Sequence, residues 1–154
     1  MKIFIMRHGE AAQMANSDAE RQLTIRGRLE SLSVVKEAFE QELSVDKVLV
    51  SPYIRAQQTW EEISSHIHCK DVESCEDITP YGQAERVYHY VMALIESENL
   101  DSVFIVSHLP LVGYMTSEFI PDLAPPMFPT SGLVCIEFDA EKGVGEFAWK
   151  HYPG

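Results

Sequence analysis

The sequence predicts a three-layer α/β/α sandwich, with a mostly parallel sheet that ends in an antiparallel C-terminal hairpin. Three observations lead there. Short apolar runs rich in β-branched residues (3–6, 47–50 and 102–106) alternate with longer segments of helical periodicity. Each run empties into a short loop and then a helix, the order that builds parallel strands with helices covering both faces. The chain ends in two alternating segments around Glu141-Lys142-Gly143, which read as a hairpin.

Taken in order, residues 3–6 form a buried strand that stops at Arg7-His8-Gly9. From 24 to about 43, Ile25, Leu29, Leu32, Val35, Ala38 and Phe39 recur at spacings of three and four, which predicts an amphipathic helix. A second strand follows at 47–50. Pro52 suits the first turn of a second helix that continues through 54–67. Residues 69–82 are polar and turn-rich and are expected to cross the surface as a loop. Val87, Val91, Ala93, Leu94 and Ile95 give a third helix over 84–95. The third strand, 102–106, ends at Ser107-His108-Leu109-Pro110, and 111–119 can form a fourth helix. Residues 122–129, with Pro121 just before and Pro125, Pro126 and Pro129 inside, must be irregular. The hairpin then pairs 132–138 with 145–150.

With 154 residues, 45% apolar and 23% charged, the chain suits one globular domain over 1–154. A net charge of −12 argues against a nucleic-acid binder, because phosphate backbones reward clustered Lys and Arg. If a ligand is anionic, the few arginines must converge locally. Cys69, Cys75 and Cys135 show no metal-type spacing, and an odd number does not suggest a disulfide scaffold. No segment has the length of a membrane span or of a signal h-region, so no membrane role and a cytoplasmic location are expected.

Arg7-His8-Gly9-Glu10, Ser51-Pro52-Tyr53-Ile54-Arg55-Ala56-Gln57-Gln58-Thr59 and Ser107-His108-Leu109-Pro110 follow the three predicted strands in turn. In open α/β sheets ligands collect outside the carboxyl ends of the strands, so the three motifs predict one site. Planar guanidinium groups match phosphate oxygens, and Arg7 and Arg55 can hold the equatorial oxygens of a phosphoryl group in transfer. A neutral imidazole at His8 can attack phosphorus and carry it covalently until water completes the hydrolysis. His108, once protonated, would donate to a phosphoryl oxygen and add positive charge. Gly9 would let the main chain approach the ligand. A lone histidine at a strand end is ordinarily structural; the coincidence of three such motifs points to catalysis.

On these motifs the sequence resembles the histidine phosphatase superfamily, which includes the phosphoglycerate mutases, and within it the small SixA-type phosphohistidine phosphatases. The resemblance spans nearly the whole chain. It implies a phosphoglycerate mutase-like fold, His8 as nucleophile, and a phosphate pocket of Arg7, Arg55 and His108. Arg21 joins the substrate-binding residues through Arg21-Gln22-Leu23-Thr24-Ile25-Arg26-Gly27, where the family's R-P-L-T-x-x-G has lost its proline. The SixA-type likeness rests on the short length, on Met6 to Ala11, on Ile78-Thr79-Pro80-Tyr81-Gly82, on His108 to Tyr114 and on Pro125-Pro126-Met127-Phe128. Larger relatives carry a longer insertion after the second helix. Here 69–82 stands in that place, implying an open pocket that accepts a side chain presented by another protein.

Larger relatives also carry a glutamate that protonates an alcohol leaving group. Glu76, Asp77 and Thr79 lie nearby in sequence, none at a matching position. That suits phosphohistidine, whose imidazole leaves with less help than an alkoxide. The expected substrate is therefore a histidine-phosphorylated protein such as a phosphotransfer or phosphocarrier domain. No cofactor and no metal are expected: His66 and His68, placed on the end of the second helix near Cys69 and Cys75, would point to different sides of it. Glu10 is expected to orient its neighbours, and Met127-Phe128 to form either a docking rim or a covered loop. The competing functions are a small-molecule phosphomonoesterase and a noncatalytic phosphoprotein-binding module. The intact nucleophile argues against the second.

Overall fold

The computed structural model describes residues 1–154. Eight strands and four helices follow in the order β1 (Lys2–Arg7), α1 (Ile25–Ala38), β2 (Leu43–Ser44), β3 (Lys47–Val50), α2 (Ile54–Ile63), β4 (Ile67–His68), β5 (Val72–Ser74), α3 (Ala84–Glu98), β6 (Ser102–Ser107), α4 (Leu111–Phe119), β7 (Leu133–Asp139) and β8 (Val144–His151). Six strands make the main sheet, ordered β5-β3-β6-β1-β7-β8. β5, β3, β6 and β1 run parallel, and β7 and β8 add the antiparallel pair. β3, β6 and β1 are adjacent, so the three motifs emerge side by side at their carboxyl ends.

Strand alternation divides the core in two. Ile3 and Ile5 of β1, with Leu49, Val103 and Ile105, face α3 and α4 through Val87, Val91, Val112, Met115 and Phe119. Phe4 and Met6, with Val48, Val50, Phe104 and Val106, face α1 and α2 through Val34, Val35, Ala56 and Ile63. Apolar layers cover both faces of β1, β3 and β6, which is why these three strands read as continuous apolar runs.

Several expected boundaries move. α1 begins at Ile25 behind an N-cap, Thr24, whose hydroxyl accepts from Gly27 N at 2.9 Å, and it stops at Ala38. Leu43–Ser44 instead pairs with Ile67–His68 in a separate two-stranded piece. α1 also turns a different face inward: Ile25 and Leu29 are exposed, while Gly27 and Ser31 are buried with Val34 and Val35. Small residues sit there because the loop after β1 lies directly on the first turns of α1. A Cβ on Gly9 would come 2.7 Å from Gly27 O and 2.6 Å from Ser31 Oγ.

Pro52 lies outside α2, which starts after Tyr53. That helix ends at Ile63, because Ser64 and Ser65 hydroxyls donate back to Glu61 O and Glu62 O and compete with helix continuation. His66 and His68 are consequently not helical; they bond to Phe39 O and to Glu42. The 69–82 segment is not simply a loop. It holds edge strand β5 and a 3-10 turn at Glu76–Ile78, with Ile78 fully buried and its carbonyl accepting from Ser107 Oγ at 2.8 Å.

Candidate active site

The ladder fixes His8 before any side chain acts. Its N–H donates to Ser107 O and its carbonyl accepts from Ser131 N, both at 3.0 Å, while Arg7 N donates to Gly132 O. The imidazole is then turned by one contact: Nδ1 lies 2.7 Å from Gly9 O. A carbonyl can only accept, so Nδ1 carries the hydrogen and Nε2 keeps its lone pair. Arg55 Nε donates to that Nε2 at 3.3 Å.

Arg55 leaves the first turn of α2 and is almost completely buried. Its Nη1 donates to Asp18 O at 2.6 Å and its Nη2 to Asp18 Oδ2 at 3.2 Å. The guanidinium also lies over the Tyr53 ring, 5.1 Å from its centroid, and the same ring meets His108 edge-on at 5.1 Å. Arg7 is held by its Nη1, which donates to Phe128 O at 2.9 Å. Arg21 stands at the rim, donating from Nε to Ala12 O at 2.7 Å and from Nη1 to Asp18 Oδ1 at 3.1 Å.

His108 closes the other side, its ring 5.1 Å from that of His8. Its Nε2 lies 2.7 Å from Ser51 Oγ, and Ser51 Oγ also accepts from Tyr53 N at 3.2 Å. The arrangement that satisfies every partner has the Ser51 hydroxyl donating to His108 Nε2, which leaves the ring hydrogen on Nδ1. His108 Nδ1 and Arg7 Nε are the only buried side-chain nitrogen or oxygen atoms in the chain without a hydrogen-bond partner. Arg7 Nε is a donor, as is His108 Nδ1 in that tautomer, and both residues lie close to His8. Unpaired buried donors are costly and rare, so two of them beside the His8 imidazole mark where an anion would bind.

Burial favours the neutral form of both imidazoles. Burial lowers His8 to about 3, aided by the charges of Arg55, Arg7 and Arg21 and opposed by the Gly9 hydrogen bond. Burial, then His8, Arg55 and Arg7, lowers His108 to about 2. The sequence left the charge of His108 open; burial favours the neutral ring, and the donor it then offers is an Nδ1–H. Burial and the facing Arg55 also lower Arg7.

The structure thus brings Arg7, His8, Arg55 and His108 together, with Arg21 at their edge. Gly9 has a different task from the one its sequence suggests. Its N–H donates to Thr59 Oγ1 at 3.0 Å, its carbonyl holds His8, and its missing side chain admits Gly27, so it serves packing and imidazole orientation. Glu10 accepts from Thr24 Oγ1 at 2.9 Å and ties the loop to the α1 N-cap. Asp77 pairs with Arg86 on the surface, and neither Asp77 nor Glu76 touches the site. Phe128 is buried while Met127 is exposed, so the two split between a covered loop and an open rim. Nowhere do three His, Cys, Asp or Glu side chains assemble in a metal-holding group.

Sequence reasoning missed Ser51, Thr59, Tyr53 and Asp18 as members of the site. The first three lie inside the Ser51 to Thr59 motif and could have been found from it. Asp18 has no such signal.

Comparison with known proteins gives concordant results. The family model of the histidine phosphatase superfamily (branch 1) matches residues 3–79. The phosphohistidine phosphatase SixA of Escherichia coli is 42% identical over 154 residues, covering 99% of this chain and 94% of that protein. The SixA homolog of Haemophilus influenzae is 39% identical, covering 92% and 91%. A solved structure of the protein histidine phosphatase SixA complexed with tungstate superposes with a TM-score of 0.89 at 41% identity, covering 99% of this chain and 97% of that one.

Proposed function

Because the chain belongs to the histidine phosphatase superfamily, we propose that it is a phosphohistidine phosphatase acting on a histidine-phosphorylated protein through a covalent intermediate on His8. The observation that carries this reading is the pair of orphaned buried donors, Arg7 Nε and His108 Nδ1, beside an imidazole whose Nε2 keeps its lone pair. Tungstate, bound by the SixA of known structure, is a tetrahedral oxyanion of the kind such donors suit.

His8 Nε2 attacks phosphorus in line, and its new P–N bond forms as the P–N bond of the substrate breaks. The electron pair goes to the substrate imidazole, which leaves neutral once its second ring nitrogen has taken a proton from solvent. Arg7, Arg55 and His108 Nδ1–H hold the phosphoryl oxygens as charge redistributes. Water then attacks the phosphorus on His8, releasing inorganic phosphate and restoring the imidazole.

Two features favour a protein substrate over a small ester. No carboxyl group faces His8 as a ready proton donor: Asp77 is paired outward with Arg86, and the Asp18 carboxyl is held below its usual range by Arg21 and Arg55 against the opposing effect of burial. An alkoxide would leave poorly without such a donor. The 69–82 segment, moreover, is short and is packed against the end of β6 through buried Ile78, whose carbonyl accepts from Ser107 Oγ. The scheme uses no metal and no cofactor.

The test compares release of phosphate from a panel of phosphohistidine proteins and small phosphate esters, with chelator present throughout. The best phosphohistidine protein is expected to exceed any ester in kcat/KM by at least about a hundredfold, the lower end of what general acid catalysis supplies. An ester that matched it would replace this reading with a small-molecule phosphomonoesterase.

A further inference from the structure

We propose that Asp18 is a built-in competitor for the phosphoryl group: its carboxylate occupies the Arg55 guanidinium and weakens the hold of the pocket on phosphate, so that product leaves. This rests on the pocket being a phosphoryl site, as argued above.

The two pocket arginines are treated differently. Arg7 bonds through its side chain to a neutral carbonyl alone and keeps Nε free of any partner. Arg55 has all three nitrogens engaged, Nε on His8 and both terminal nitrogens on Asp18. Asp18 is not a core residue positioned by packing. It comes from a 3-10 turn, Asp18–Glu20, with no buried residue, and its side chain is 43% exposed. The turn is built to present it: Arg21 Nε is anchored on Ala12 O, Arg21 Nη1 takes the second carboxylate oxygen, and Ser17 Oγ donates to Glu20.

A carboxylate bridging two guanidinium groups competes with phosphoryl oxygens in charge and in fork geometry. A phosphoryl group entering the pocket therefore exchanges one anion for another at Arg55, or shares that arginine with a carboxylate that repels it. Either way the affinity is lower than two unpaired arginines would give. The effect falls equally on substrate and on inorganic phosphate, because both present the same group. At Arg55 the carboxylate takes up the guanidinium charge whenever phosphate departs, a contact Arg7 lacks.

The experiment is calorimetric titration of inorganic phosphate into the wild-type protein, Asp18→Asn and Arg7→Ala at one ionic strength. Asp18→Asn keeps the shape and the acceptor oxygen and removes the charge. It is expected to bind phosphate about three- to fivefold more tightly, the range carried by a partly exposed ion pair, with the product-inhibition constant falling in parallel. Unchanged or weaker binding by Asp18→Asn would overturn the proposal and make Asp18 a prop for Arg55. Arg7→Ala separates the two levels: it should bind phosphate more weakly. If it did not, the phosphoryl-site reading would fail and the proposal with it.

Discussion

Strand β3 begins on a buried cation, Lys47, and leads beyond its other end into a second, Arg55, and the two are held in opposite ways. Lys47 Nζ lies 3.0 Å from Asp71, 3.4 Å from Glu98 and 3.7 Å from Glu73, and Tyr90 OH donates to Glu73 in turn. Three carboxylates surround one ammonium that is 6% exposed. At the carboxyl ends, Arg7 and Arg55 lie close enough to repel, a single half-exposed carboxylate, Asp18, pairs with Arg55 and Arg21 and leaves Arg7 alone, and two donors are left without partners. The amino end is satisfied by the protein itself. The carboxyl end carries a cost that an anionic ligand would relieve, which is how a functional site differs from a structural ion cluster of similar burial.

The largest expected effect tests the carboxyl end. His8→Ala should lower kcat/KM by more than about a thousandfold, since it removes the attacking nitrogen itself. Its denaturation midpoint should stay near that of the wild type, because the imidazole packs against polar groups and its loss removes a buried, desolvated ring. Steady-state kinetics and a urea titration on the same preparation check both halves. Activity within tenfold of wild type would sink the nucleophile assignment.

Lys47→Met is the mirror experiment at the amino end. It should leave kcat/KM per folded molecule unchanged and lower stability by about 1–3 kcal/mol, as partly solvated carboxylates lose the cation among them. A urea midpoint reads the loss. If Lys47→Met instead damaged turnover, the two ends would be coupled through β3 and their separation would be wrong.

These two ends were not equally legible in the sequence. Arg7, His8 and His108 stood out because apolar runs stop at or next to them, and Arg55 because it follows such a stop within five residues; a parallel sheet brings these stops together. The layers and the hairpin followed from the same periodicity. Periodicity says nothing, however, about contacts closed by irregular chain. Asp18 reaches Arg55 only because the segment after β1 folds back across the site. Edge strand β5 was missed because Val-Glu-Ser is half polar and exposed, with no apolar run to announce it. The inward face of α1 was misread because close approach to Gly9 demanded glycine and serine where an amphipathic pattern asks for large apolar residues. Gly9 was read from the sequence as a place where the main chain nears a ligand; its contact with Gly27 on α1 joins two distant segments and left no local signal.

A pH dependence should separate the two ends as well, in opposite directions. His8 and His108 are lowered to about 3 and about 2, whereas in an unfolded chain each titrates near 6.5. Above pH 6.5 both are neutral in both states and contribute no slope. Below it the unfolded chain binds two protons that the native pocket refuses, so stability falls as pH drops from 6.5 toward 3. At pH 5 that amounts to roughly 2–4 kcal/mol for the pair. Carboxylates held low by cationic partners, such as Asp18, act with the same sign but around the ordinary carboxylate range, so the interval from pH 6.5 to 5 isolates the histidines. Lys47 behaves in reverse. Burial alone would lower its ammonium, but Asp71 and Glu98 outweigh burial and raise it above 10.5, so its contribution persists through neutral pH and is lost only as pH climbs past that value. Urea midpoints of the wild type and a His8→Asn/His108→Gln double variant, taken at pH 7 and pH 5, separate these contributions: the wild type should weaken on acidification and the double variant much less. An equal loss in both would put the acid sensitivity elsewhere in the molecule and remove the pocket histidines as the strained partners in the comparison.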